Sequence, residues 1–125
     1  MSLYPETVLS ITPDQRRQYP RKPLKVNMAV KSSQSQEQAF FNTKDMSLGG
    51  TFLESNDFYY EMGSEIELSF TLPDNPRPIE VRGKVAYVMS EDITTGSELV
   101  PGMGVKFLNL KEDDIEILSS CLEKY

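Results

Sequence analysis

The chain has 125 residues, a formal charge of −6, no histidine, no tryptophan and a single cysteine, Cys121. That length suits one domain with a core that needs no staples. The missing residue types exclude a disulfide framework, a zinc site built from His and Cys, and a histidine base of the Ser–His–Asp kind. The acidic balance argues against a broad DNA- or RNA-binding surface. No apolar run is long enough to span a bilayer and no signal-peptide pattern opens the chain, so a cytoplasmic protein with no membrane insertion is expected.

Residues 1–15 read as an N-terminal arm, with Pro5, Pro13 and scattered polar residues. The next stretch, RRQYPR, places Arg16, Arg17 and Arg21 within six residues, and from Arg16 to Lys25 there are five cations and no acid. Pro20 and Pro23 disfavour helix at the residues before them, which predicts extended chain. Such a segment is expected to stay unburied until an anion orders it.

From Leu24 the pattern has period two. Val26, Met28 and Val30 form one side of a strand, and Ala39–Lys44 suits a second. Asp45–Gly50 (DMSLGG) interrupts it, and Thr51–Glu54 resumes as a short strand. Ser55–Gly63 is a loop carrying Phe58, Tyr59 and Tyr60, expected to pack across a barrel end. Ser64–Leu72 alternates cleanly, and Pro73–Pro78 with its three prolines predicts a turn. Ile79–Met89 alternates with Ile79, Val81, Val85, Tyr87 and Met89 inward, while Gly83 suggests a bend or bulge. Pro101–Leu110 is a last strand. Residues 112–124 form an amphipathic helix with Ile115, Leu118 and Leu122 on its packing face and Glu112, Asp113 and Asp114 in the first turn. The fold class that follows is mainly β: six antiparallel strands in a closed or nearly closed barrel, with one C-terminal helix.

Two stretches carry chemistry. Arginine presents a planar fork of donors that fits phosphate oxygens and the O6/N7 edge of guanine. The plain alternative is a solvated basic tail, or arginines paired with surface carboxylates. In the second stretch, Asp45 and Ser47 stand two apart, and Gly49 and Gly50 permit a tight backbone. A carboxylate beside a hydroxyl can accept from the N1–H and N2–H₂ donors of guanine. The plain alternative is a turn in which Asp or Ser caps its own backbone. Neither a GxSxG nor a P-loop is present, so no nucleophilic serine or triphosphate cradle is expected.

Arg17-Gln18-Tyr19-Pro20-Arg21 followed by Asp45-Met46-Ser47-Leu48-Gly49-Gly50 resembles the paired RxxxR and [DN]xSxxG motifs of the PilZ family of bacterial cyclic di-GMP receptors. Looser matches are Gly83-Lys84-Val85 and Gly102-Met103-Gly104-Val105-Lys106-Phe107. The resemblance covers about Arg16 to Lys124, so residues 16–125 would form the domain and 16–23 a switch segment. It implies a second-messenger receptor and not an enzyme, with no cofactor beyond the ligand cyclic di-GMP. Arg17 and Arg21 would grip phosphate and guanine, Asp45 and Ser47 would bind a guanine, and Gly50 would let the base approach the backbone. Arg16, just ahead of RxxxR, implies two ligand molecules per site. An aromatic on the long strand often stacks on a base, and Tyr87 is its counterpart here, although strict alternation puts it on the core face. The signal would pass to a downstream protein partner. The competing reading is a PilZ fold that works by protein contact without nucleotide. A single-stranded nucleic-acid barrel is disfavoured by outward Glu65, Glu67 and Glu80.

Overall fold

The computed structural model describes residues 20–56, 58–89 and 100–125. Six strands, β1 (Asn27–Ser32), β2 (Gln38–Met46), β3 (Gly50–Glu54), β4 (Glu65–Leu72), β5 (Asn75–Met89) and β6 (Gly102–Phe107), precede one helix, α1 (Glu112–Leu122). Every pairing is antiparallel, and the order β1-β2-β3-β6-β5-β4 closes on itself through β1 and β4. Closure leaves no free sheet edge among these strands.

The inward residues are those of the period-two pattern. Met28 and Val30 of β1, Ile66, Leu68, Phe70 and Leu72 of β4, Ile79, Val81 and Val85 of β5, and Met103, Val105 and Phe107 of β6 share one apolar cluster. Phe58, Tyr59 and Tyr60 behave as the loop pattern suggests. Phe58 and Tyr60 meet edge-to-face at 4.9 Å, both rings lie against Phe41, and Tyr59 and Tyr60 pack on the core cluster. Burial raises the pKa of the Tyr60 phenol.

Three elements differ from the sequence expectation. The proline-rich PDNPRP stretch is not all turn. Only Pro73 and Asp74 turn, and β5 begins at Asn75. Pro76 and Pro78 have no N–H to donate, and they lie where the β4–β5 register slips between Leu72↔Asn75 and Phe70↔Ile79. Second, the helix buries Asp114 with Leu118, Cys121 and Leu122, whereas Ile115 is exposed. The Asp114 carboxylate is neutralised by Arg77 of β5 at 2.7 Å, which permits a charge on the packing face. Third, strict alternation fails in β5, with consequences for the site given below.

The C-terminal end of the helix is tied to the β4–β5 turn by Lys124 Nζ, 2.6 Å from Asp74 Oδ2. That hydrogen bond lowers the Asp74 pKa, and the neighbouring buried Cys121 thiol lowers it further. Burial, first, and the neighbouring Asp74, second, push the thiol upward.

Candidate functional site

β2 runs two residues further than the alternation suggests, so Asp45 and Met46 are strand residues and the turn begins at Ser47. The β2–β3 register slips between Thr43 and Asp45, which puts Asp45 opposite Phe52. Thr51 Oγ1 donates to the Asp45 carbonyl at 2.7 Å and fixes the backbone beneath the carboxylate. The turn closes through Ser47 N–H to the Gly50 carbonyl at 2.8 Å. Ser47 is buried, and its Oγ accepts from Gly49 N–H at 3.1 Å and donates to the Gly50 carbonyl at 3.5 Å. The Ser47 hydroxyl therefore holds the turn, while Asp45 keeps a carboxylate at the surface.

The two glycines serve the barrel directly. The Gly49 carbonyl accepts from Phe107 N–H at 2.9 Å. A Cβ on Gly50 would fall 2.1 Å from the Val105 carbonyl oxygen, so only glycine lets β3 and β6 approach this closely here.

The chain entering β1 is strapped to the same place. Lys22 exchanges both backbone hydrogen bonds with Met46, each at 2.9 Å. Leu24 N–H bonds to the Lys22 carbonyl at 2.7 Å, a tight γ-type turn centred on Pro23. Leu24 and Val26 are buried. Thr43, fully buried in β2, donates from Oγ1 to the Leu24 carbonyl at 2.7 Å and accepts from Val26 N–H at 2.9 Å. Neither Thr43 nor Thr51 stands out in the sequence, because a threonine in a strand ordinarily signals β-propensity alone.

The basic segment finds acids across the barrel that its local sequence lacks. Arg21 Nη1 lies 2.8 Å from Asp45 Oδ1, and Lys25 Nζ lies 3.2 Å from Glu54 Oε2. Arg21 and Asp45 are 24 residues apart in sequence, and the barrel brings them into contact. Arg16 and Arg17 lie outside the described residues.

Tyr87 is not a core residue. The β5–β6 register slips between Val85 and Tyr87, the extra residue being Ala86. This bulge reverses the phase of the strand, so Tyr87 faces out, 39% exposed, while Val88 packs toward the core. Gly83, the residue the sequence marks for a bend, faces inward, where a Cβ would lie 2.7 Å from Val105 Cγ1. The Tyr87 ring covers Gly104, where a Cβ would come within 2.1 Å of it. With that glycine between them, Tyr87 and Phe52 meet at 6.2 Å between ring centroids. Lys44 Nζ stands 5.9 Å from the centre of the Phe52 ring. Asp45, Phe52, Gly104 and Tyr87 thus follow one another across β2, β3, β6 and β5 as a single cross-strand row.

Among the described residues no cluster of His, Cys, Asp and Glu is arranged to hold a metal, and no helix is long and apolar enough to cross a membrane.

Residues 15–124 match the sequence profile of the PilZ domain. The chain belongs to the PilZ family. Comparison of the sequence with characterised proteins returns no match. Solved structures share the fold of this PilZ domain at low identity. The Bacillus subtilis inhibitor of motility MotI/DgrA superposes with a TM-score of 0.71 at 20% identity, over 88% of this chain and 51% of that one. The PilZ domain of YcgR from Escherichia coli, solved with c-di-GMP, gives 0.65 at 17% identity, over 88% and 91%. The K. pneumonia MrkH–c-di-GMP complex gives 0.64 at 19% identity, over 88% and 51%. This PilZ domain therefore spans about half the length of MotI/DgrA and MrkH, and nearly all of the YcgR domain.

Proposed function

We propose that this PilZ domain is a non-enzymatic cyclic di-GMP receptor acting in the cytoplasm. The observation that carries the proposal is the contact between Arg21 and Asp45, which unites the two motif stretches at one surface position. Family membership and neighbours solved with the nucleotide support it. In this reading Arg16, Arg17 and Arg21 supply charge to the phosphates and forks to the guanine edges, and Asp45 accepts from a guanine. Ser47, Gly49 and Gly50 shape the turn that presents Asp45. Tyr87, held outward by its bulge, is a platform for a base. Arg16 recruits a second nucleotide, giving two molecules per site.

Binding has a switching consequence. Arg21 and Asp45 are in contact, so the ligand takes over one or both partners. Exchange of that ion pair for contacts to the nucleotide draws the segment carrying Arg16 and Arg17 over the barrel and creates a new surface for a protein partner. Isothermal titration with cyclic di-GMP tests the proposal. Saturable heat with a fitted stoichiometry of two is expected, and no heat at tens of micromolar ligand rejects it.

One observation favours a partner surface away from the nucleotide. Phe40 is 61% exposed and Met62 67% exposed, outside the arginine–aspartate site. Retention of a partner by a variant lacking all three arginines would show docking that does not depend on the nucleotide.

A further inference from the structure

Outside the two motifs, the outer face of β5 and β6 carries an arrangement that the sheet itself does not favour. Lys84 and Lys106 are direct cross-strand partners, and both side chains are exposed. Like charges placed opposite each other weaken a sheet. Arg21, Lys25, Arg77 and Lys124 each have a carboxylate partner, but neither Lys84 nor Lys106 has an ion pair among the described residues. Glu65 lies opposite Lys84 on β4, yet the two do not pair.

The position of these lysines relates them to the site. Lys106 is the cross-strand partner of Gly50, the last residue of the DMSLGG turn. The row Gly50–Lys106–Lys84 runs beside the row Phe52–Gly104–Tyr87, two residues along each of β3 and β6. Strand residues two apart project from the same face, so Lys106 stands on the face that carries the Tyr87 ring over Gly104. The aromatic platform is thus flanked by two ammonium groups, neither of them in an ion pair among the described residues.

We propose that Lys84 and Lys106 form an anion subsite for a phosphodiester of the nucleotide whose base rests on Tyr87. The inference rests on the reading of this domain as a cyclic di-GMP receptor and adds two contact residues that lie in neither motif. The lysines act as point charges at the barrel wall, while the arginines approach from the chain ahead of β1. The repulsion between them is relieved when the phosphodiester binds.

The test is titration of cyclic di-GMP into the parent, Lys84→Gln/Lys106→Gln and Lys106→Glu, with thermal melts of each. A charge-matched control is Lys31→Gln/Lys111→Gln, two lysines that line a separate groove with Glu67 and Glu80. The double glutamine variant should bind roughly tenfold to a hundredfold more weakly, with a shallower salt dependence. Lys106→Glu should bind more weakly still yet melt no lower than the parent, because an opposite-charge pair replaces a like-charge pair. Parent-like affinity in both variants overturns the subsite and leaves the receptor reading intact. Equal weakening in the control also overturns it, by assigning the effect to net charge. Absence of binding by the parent rejects the receptor reading itself.

Discussion

Arg21 donates to Asp45 at 2.8 Å, so the last arginine of the first motif and the carboxylate that opens the second are direct partners. The pair is half-exposed on the arginine side and therefore weak, which suits a contact that must open. Arg21→Ala is expected to weaken cyclic di-GMP binding by about tenfold to a hundredfold through loss of a charge-assisted fork. Asp45→Ala should act similarly. Asp45→Asn keeps an acceptor and loosens the hold on Arg21, so it should bind far better than the alanine variant. Calorimetric titration of the three separates these outcomes.

Thr43 sets the position of the segment that follows Arg21. Thr43→Val keeps the shape but leaves the Leu24 carbonyl and the Val26 N–H without the partner each has now. Both groups belong to buried residues. The expected loss is about 2–4 kcal/mol of stability, read from urea denaturation. Thr43→Ser, which keeps the hydroxyl, should recover most of it.

Gly104→Ala tests the platform. A methyl group there overlaps the Tyr87 ring, so the ring must lift away from Phe52. Nucleotide affinity should fall by about the worth of one base–aromatic stack, roughly 1–3 kcal/mol. Tyr87→Ala should fall equally, and the double variant should add little. A double variant with additive losses would assign the two residues to separate roles.

The Asp74–Lys124 contact predicts a window of pH. The folded Asp74 pKa is lowered by its hydrogen bond from Lys124, so its contribution is present above the ordinary aspartate value and is lost as pH falls through the folded one. The Lys124 pKa is raised by the same contact, so its contribution is complete below the ordinary lysine value and is lost as pH rises through the folded one. Lys124→Met should therefore lower the Tm slightly near neutrality and leave it unchanged at both extremes. Melts of parent and variant across pH measure the difference directly.

Much of this structure is legible in period-two patterning. Ile66, Leu68, Phe70 and Leu72 needed no tertiary information to be placed inward, because each is half of an unbroken alternation. Tyr87 was misplaced for a physical reason. A bulge is a property of two strands, and nothing in the sequence around Ala86 records that β6 has one residue fewer to offer. The place of Asp114 on the packing face, where the periodicity points to Ile115, has a similar cause, since its partner Arg77 is 37 residues distant. The site was half legible. The residue types at Arg21, Asp45 and Ser47 suggested guanine and phosphate chemistry. That the Ser47 hydroxyl turns inward depends on where β2 ends, and strand ends are weakly encoded.

The two-way backbone bridge between Lys22 and Met46 makes the preceding arginines tethered reagents. Arg17 is five residues from the anchor, so its Cα can stand no further than about 18 Å from that of Lys22. On the receptor reading proposed above, a nucleotide at Asp45 would meet the Arg17 guanidinium at an effective concentration on the order of millimolar or more, whatever the protein concentration. Moving the anchor point by one residue would change which arginines fall within reach. Insertions between Arg21 and Lys22 should thus be more damaging than insertions ahead of Arg16.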